Sequence, residues 1–218
     1  VAEFALGNID ANLLIDFNQK KIKFSNANSN LVNSGLSLKG VFGFSNNNKF
    51  ETSIFSNNLS KNAVTFCLGK KFPGLARDLR FIDFFTRAQV KIYGKYSEGA
   101  TIDTKVTGSN LKIKDETFDY FESSFTYKKN ILKVKPLVLK KEESAIYFKG
   151  EISPKNDLWN FTLTSEDLDL SRFYLFQKYF GSSQSRLNFD VSHRGSFSNG
   201  KGRLKTTIDG FLNSDGKR

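Results

Sequence analysis

The chain has 218 residues, 39% of them hydrophobic, and 33 Lys and Arg against 22 Asp and Glu give it a net charge of +11. This hydrophobic content excludes a chain that is disordered throughout. One Cys and one His exclude an internal disulfide and a Cys-based metal cluster and argue against a His-rich zinc site. No apolar run reaches the ~18–20 residues of a membrane-spanning helix, and no signal-peptide pattern opens the chain. Because the sequence contains no Met, we expect an excerpt or a processed product of a longer protein, and any anchor would then lie in the missing part.

Apolar and polar residues alternate along most of the chain, which predicts strands because successive strand residues point to opposite faces. The first predicted strand covers 8–17, and after a turn at 18–20 a second carries Ile22 and Phe24. The Asn-rich stretch 26–34 is predicted as a loop. The period of two returns near 36–44, 50–54, 102–106, 121–127, 146–152, 159–163, 187–191 and 204–208. Polar turns between these strands predict a long antiparallel meander.

Two stretches have helical spacing instead. After Pro73 and Gly74, the apolar residues predict a helix over 74–87 that covers a sheet edge by burying Leu79, Ile82 and Phe85. Ser171 is placed to cap a second short helix. That helix would carry Phe173, Leu175, Phe176, Tyr179 and Phe180 and end at Gly181.

A weak internal repeat accompanies the meander. Gly40, Gly94, Gly150 and Gly195 each follow an alternating strand, at spacings of 54, 56 and 45 residues. A Leu follows each Gly after 17–19 residues, at Leu59, Leu111, Leu168 and Leu212. Units that cannot bury an apolar face alone are expected to stack. We therefore predict one elongated β-repeat segment over 1–218, with sub-repeats near 36–87, 88–143, 144–186 and 187–218.

The apolar strand residues are the main candidates for function. On one shared face they would bind acyl chains, at ~0.8 kcal/mol per CH₂ group removed from water. The alternative is a closed sandwich core filled by the same side chains. The candidates are Ile102, Val106, Leu111, Ile113, Phe121, Phe125, Leu132, Val134, Ile146, Phe148, Ile152, Phe161, Leu163, Phe189, Val191, Leu204 and Ile208.

The region from Leu111 to Phe176 resembles the AsmA/TamB superfamily of periplasmic β-rich proteins, and the likeness extends over about 36–212. It rests on the strand at 119–127, the return strand at 131–134, the Gly-containing strand at 146–152 and the Ser-Glu-Asp-Leu-Asp-Leu-Ser close at 165–171. The resemblance implies a curved antiparallel meander that forms an elongated open groove (β-taco-like) with two short amphipathic helices.

The resemblance also implies a function, which is to bind or conduct phospholipid acyl chains between the inner and outer membranes without catalysis. It implies a location in the bacterial periplasm as part of an inner-membrane-anchored protein. An outer-membrane barrel assembly partner would be engaged through regions outside this chain. A closed structural or adhesive β module, or a scaffold for outer-membrane protein assembly, is the alternative.

Other residue groups favour ordinary structural roles. Six lysines crowd one predicted hairpin, and we interpret them as a solvated edge rather than a contact with lipid phosphates. They are Lys128, Lys129, Lys133, Lys135, Lys140 and Lys141. His193 follows a predicted strand as a surface residue, Asp167 and Asp169 are interpreted as helix-capping acids, and Cys67 as a small buried hydrophobe.

The sequence shows no nucleophile elbow and no phosphate-binding Gly loop. We therefore predict no catalytic residue, no metal and no cofactor. Nucleic acid is not expected as a partner, because the Phe residues fall on the inner face of the strands rather than forming an exposed stacking surface.

Overall fold

A computed structural model of the chain describes residues 10–31, 34–44, 48–69, 77, 82–153, 156–180, 185–196 and 199–210. Its strands are β1 (Asp10–Asp16), β2 (Lys21–Leu31), β3 (Ser34–Gly43), β4 (Lys49–Ser60), β5 (Ile82–Lys95), β6 (Gly99–Ile113), β7 (Glu116–Lys128), β8 (Ile131–Lys141), β9 (Ser144–Ser153), β10 (Leu158–Asp169), β11 (Arg186–Gly195) and β12 (Lys201–Asp209). The helices are α1 (Lys61–Gly69), a 3-10 turn (Leu170–Arg172) and α2 (Tyr174–Phe180).

The described strands follow sequence order in one open sheet, from β1 at one edge to β12 at the other. The pairs from β1 to β5 and from β8 to β12 are antiparallel. Short polar turns allow this order, since antiparallel neighbours need only a hairpin connection. The predicted mainly-β antiparallel meander with short helices is confirmed.

The chain divides into two compact units. Unit 1 comprises residues 1–108 and 125–129, and unit 2 comprises 109–124 and 130–218. The division passes through β6 and β7, which lie within the second predicted sub-repeat. The four sub-repeat bounds themselves stay a prediction.

The Leu-centred signature of the repeat coincides with a β-bulge in two strands. The register of β4 against β5 shifts between Ser56 and Leu59, and that of β10 against β11 shifts between Ser165 and Leu168. These two bulges lie 109 residues apart in the sequence. A bulge places an extra residue in one strand and bends it. Directly after its bulge, β4 enters α1, and β10 enters the 3-10 turn and then α2.

Two buried serines close the hairpins that contain these bulges. Ser34, at the start of β3, accepts a hydrogen bond from Ser60 N at the end of β4 (3.0 Å). Ser144, at the start of β9, accepts one from Asp169 N at the end of β10 (2.9 Å). Ser34 and Ser144 are both buried. The β3–β4–α1 and β9–β10–α2 segments are thus built alike, which gives the repeat a structural basis.

The helix predicted over 74–87 is wrong from residue 82 onward, where β5 begins. Ile82, Phe84 and Thr86 lie on the better-buried side of β5, and they alternate with exposed residues that include Phe85, which is 72% exposed. The three-residue spacing of apolar residues that suggested a helix arose by chance in a segment whose side chains alternate between two faces. Arg77 is helical, and the remainder of the predicted helix, with Leu79, lies outside the described residues.

The loop predicted over 26–34 is also wrong in its first part. β2 continues through the Asn-rich stretch to Leu31, and Ala27 and Ser29 pair with Leu38 and Leu36 of β3. Ala27 and Ser29 are buried. Strand pairing and burial therefore override the weak strand preference of Asn at this point.

Candidate functional site

The strand register of unit 2 places eleven of the predicted groove residues on one face. Phe148 of β9 pairs with Leu163 of β10, Leu163 with Val191 of β11, and Val191 with Leu204 of β12. Leu132 of β8 pairs with Ile152 of β9, and alternation along each strand brings the others to the same face. The apolar face, as we call this set, comprises Leu132, Val134, Ile146, Phe148, Ile152, Phe161, Leu163, Phe189, Val191, Leu204 and Ile208.

Ring contacts continue across three strands of the apolar face. The ring centroids of Phe148 and Phe161 lie 5.7 Å apart, and those of Phe161 and His193 lie 5.5 Å apart at an interplanar angle of 19°. His193 lies within β11 rather than after it, and its Nε2 is 3.1 Å from the carbonyl oxygen of Ser196. This imidazole is half-buried by stacking on Phe161, so the predicted surface His is partly covered by its neighbour.

The apolar face is only partly covered within the described part of the chain. Nine of its eleven side chains are half-buried, while Leu204 and Ile208 are 67% and 53% exposed. The largest described side chains that are almost fully enclosed are Ser34, Ser153 and Ser185. A sandwich core instead encloses large apolar side chains between two layers.

The opposite face of unit 2 is polar. In one row, Lys149, Thr162, Ser192 and Arg203 are register partners across β9 to β12. On β8 and β9, Lys133 Nζ lies 2.6 Å from Glu151 Oε1. The sheet of unit 2 therefore has two chemically distinct faces, as the period of two predicts.

The described register does not connect the other six predicted groove residues to the apolar face. Ile102, Val106 and Phe125 belong to unit 1, where all three are half-buried. Leu111, Ile113 and Phe121 belong to unit 2, and Leu111 and Phe121 are buried. The prediction of one surface shared by all seventeen residues is therefore supported for the eleven of the apolar face.

Unit 1 contains a cleft of about 1430 Å³ that the sequence analysis did not anticipate. Eight lysines line the cleft, against two acids, Glu51 and Glu98, and no arginine among the described lining residues. The eight are Lys20, Lys21, Lys23, Lys39, Lys49, Lys95, Lys128 and Lys129. We call this feature the lysine cleft.

The register explains how lysines from distant parts of the sequence meet in this cleft. Lys23, Val41, Glu51 and Tyr93 form one row across β2 to β5. Alternation places this row on the face opposite to Phe24 and the other apolar residues of β2. A sequence signal existed, since lysines recur at alternate positions of these strands, out of phase with the apolar residues.

Hydrogen bonds and ion pairs order the wall of the lysine cleft. The hydroxyl of Tyr93 donates to Asp103 Oδ2 (3.0 Å), and the other carboxylate oxygen of Asp103 accepts from Thr126 (2.7 Å). The bond to Asp103 raises the pKa of Tyr93. The hydrogen bond from Lys95 lowers the pKa of Glu98, and the charges of Lys95, Lys128 and Lys129 lower it further. Several ammonium groups thus act on one point of the cleft.

The two acidic residues near α2 make contacts that stabilise the local structure. Asp169 is the N-cap of the 3-10 turn and accepts a hydrogen bond from Ser171 N (3.0 Å). Ser171 lies within this turn and α2 begins at Tyr174, so the prediction that Ser171 caps this helix is wrong. The hydroxyl of Ser171 also donates to Asp169 (2.6 Å), and this bond is the main cause of the lowered pKa of Asp169. Asp167 pairs with Arg186 at 3.4 Å. The interpretation as a capping acid is therefore confirmed for Asp169, whereas the printed contact of Asp167 is an ion pair with β11 and not a cap.

The lysine-rich hairpin is not a sheet edge. β8 lies between β7 and β9 in the strand order, so the interpretation of its lysines as an edge is wrong. Lys141 Nζ lies 2.9 Å from Glu116 and 5.0 Å from the centroid of Phe173. Lys128 and Lys129 line the lysine cleft. Part of this lysine cluster is therefore explained by contacts with an acidic side chain and an aromatic ring rather than by exposure to solvent.

Among the described residues, no three His, Cys, Asp and Glu side chains are grouped so as to hold a metal ion. No helix in the described part of the chain has the length and hydropathy needed to cross a membrane. Cys67 lies in α1, but its side chain falls outside the described part of the structure.

Comparison with known proteins identifies no relative. No family model, no curated protein and no solved structure matches this chain. The resemblance to the AsmA/TamB superfamily therefore stays a prediction.

Proposed function

We propose that the apolar face of unit 2 binds the acyl chains of phospholipids without catalysis. The observation that carries this proposal is the register, which brings eleven apolar residues of five strands to one partly exposed face. Large apolar patches that remain partly exposed are typical of interaction surfaces. Passage of lipid between two membranes, in the periplasm, is the role that the sequence resemblance adds to the proposal.

Acyl chains fit the chemistry of this face. They bind through dispersion and apolar burial, which are non-directional and scale with the area removed from water. Most of the side chains that alternate with the face are polar or charged and lie on the opposite surface, among them Lys149, Glu151 and Thr162. An acyl chain on the apolar face would therefore lie against hydrocarbon and aromatic groups, and its headgroup would remain in water.

Site-specific photocrosslinking tests this proposal. A benzophenone side chain is placed at position 161 on the apolar face and, as the control, at position 162 on the same strand but the opposite face. With phosphatidylethanolamine vesicles, we expect lipid capture at 161 and little at 162. Equal capture at both positions would overturn the proposal.

A charge substitution on the apolar face provides a second test of the proposal. Phe148→Asp places an unpaired carboxylate on the apolar face, where its desolvation opposes acyl-chain binding. We expect this variant to lose lipid capture at position 161, whereas Thr162→Asp, on the opposite face, retains capture by a probe at 163. Circular dichroism confirms that both variants keep their strand content. Undiminished capture in the folded Phe148→Asp variant would contradict the proposed surface.

A further inference from the structure

We propose that the lysine cleft of unit 1 binds an anion that carries several phosphoryl groups. This site is separate in its residues and chemistry from the apolar face, and it does not depend on lipid binding there. Three features of the cleft support this site: its charge balance, the cross-strand pairing of two of its lysines, and a described lining whose only cations are lysines.

The positive charge of the cleft is only slightly neutralised by the protein. Glu51 pairs with Lys91 (3.0 Å) and Glu98 with Lys95, so both acids in the lining already have a cation. The other seven lysines of the lining have no ion pair with any described residue. An anion entering the cleft would therefore meet ammonium groups that are available for charge-assisted hydrogen bonds.

The strand register adds an energetic cost that a bound anion would remove. Lys49 of β4 and Lys95 of β5 are direct cross-strand partners. Like charges directly opposite each other destabilise a sheet. Local conflicts of this kind are concentrated at functional sites, where a ligand or a reaction requires them.

The number of lysines favours an anion with several negative charges, as a ligand with several phosphoryl groups has. Arg binds carboxylate and phosphate alike through two parallel hydrogen bonds, whereas Lys binds phosphate as a compact point charge. Lysine is the only cationic residue type among the described residues of the lining. Its volume of about 1430 Å³ exceeds the ~300–1,000 Å³ of ordinary small-molecule sites, which leaves room for a ligand with more than one phosphoryl group.

Calorimetric titration of the whole 218-residue chain with inorganic tripolyphosphate tests the site. The cleft variant is Lys23→Gln with Lys39→Gln, and the matched control is Lys149→Gln with Lys205→Gln on the polar face of unit 2. The two variants lose the same net charge. We expect binding to the cleft variant to weaken about tenfold or more and binding to the control to change less than about twofold.

Two results of this titration would overturn the proposal. One is that the wild-type chain fails to bind tripolyphosphate at low salt. The other is that the cleft and control variants lose affinity equally, because overall charge rather than the cleft would then explain binding.

A thermal measurement separates ligand binding from a structural role. Lys49→Gln removes the repulsion with Lys95, so the unliganded variant should melt at a higher temperature than the wild type while tripolyphosphate raises its melting temperature less. A lower melting temperature together with an undiminished tripolyphosphate effect would contradict the proposal.

Further titrations distinguish the source of the phosphoryl groups. Phosphatidylcholine vesicles containing phosphatidylinositol bisphosphate that bind the wild type in competition with tripolyphosphate would point to a lipid headgroup. Binding of tripolyphosphate but not of these vesicles would point to a soluble anion. Both results support the site. A single-stranded oligonucleotide that binds more tightly per phosphate, and that tripolyphosphate does not displace, would overturn it in favour of nucleic acid.

Discussion

Small polar side chains close the ends of the hairpins. Ser34 and Ser144 each start a strand, are buried, and accept a backbone hydrogen bond from the residue that ends the next strand. At the end of β10, Asp169 continues this arrangement by capping the 3-10 turn. Each of these bonds satisfies a backbone N–H that the end of the sheet ladder would otherwise leave without a partner.

The Asp169 cap allows a prediction at the scale of one residue. Asp169→Ala removes the acceptor for Ser171 N and should lower the free energy of unfolding by about 1 kcal/mol near neutral pH. Asp169→Asn keeps a side-chain oxygen but loses the charge that pairs with Arg172 at 3.3 Å. Urea unfolding monitored by circular dichroism measures both differences.

The lowered pKa of Asp169 fixes the direction in which its contribution to stability changes with pH. Hydrogen bonds from Ser171 lower the pKa of Asp169 below its ordinary value of 3.8 in the folded protein. The charged form therefore contributes stability above that ordinary value, and this contribution is lost as the pH falls through the lower folded pKa. The stability difference between wild type and Asp169→Asn should disappear in strong acid. A difference that grows on acidification would contradict this account.

At the scale of elements, alternation along β5 decides which of two neighbouring Phe residues contributes to the stability of the fold. Ile82 and Phe84 lie on the better-buried side of the strand, while Phe85 is 72% exposed. In a helix over 74–87, Phe85 would instead face the sheet with Ile82. Substitutions at these two neighbouring Phe residues can therefore distinguish a strand from a helix in this segment.

We predict that Phe84→Ser lowers the free energy of unfolding by about 1–2 kcal/mol, because it removes a half-buried ring. Phe85→Ser should change it by less than about 0.5 kcal/mol, as is usual for an exposed site. Urea unfolding of the two variants gives the comparison. If Phe85→Ser were the more damaging substitution, the helical prediction would be restored.

At the scale of the whole molecule, the meander makes interactions local. Each strand pairs only with its sequence neighbours, as in stacked repeats, so a defect should spread to adjacent strands and little further. Gly150 of β9 offers a sharp defect. A Cβ added there would lie 2.5 Å from the carbonyl oxygen of Asn160 and 2.7 Å from Phe161 Cβ in β10.

Gly150→Ala is therefore expected to destabilise the protein by about 1–3 kcal/mol through overpacking. Hydrogen exchange should accelerate in β8 to β11 and remain unchanged in β2 to β4. Gly202→Ala is the control, because the nearest atom to its added Cβ is at an ordinary 3.6 Å. Uniform acceleration through both units would show that the sheet opens as one cooperative body.

The sequence by itself determined the architecture and one of the two faces. Alternation requires only local information, because it follows from the geometry of a single strand, and it correctly indicated the meander and the apolar residues of β8 to β12. The sequence-based prediction failed at residues 82–87, where a coincidental apolar spacing suggested a helix, and at 26–31, where the Asn-rich composition suggested a loop.

Only the tertiary structure decided which residues become neighbours. Register depends on bulges and hairpin lengths, and a shift by one residue moves a whole strand to the other face. Lys23, Lys39, Lys49 and Lys128 are scattered over more than a hundred residues, and only the pairing of strands brings them to one cleft. The Ser34 and Ser144 bonds also join residues some 25 positions apart, and no local pattern reveals such contacts.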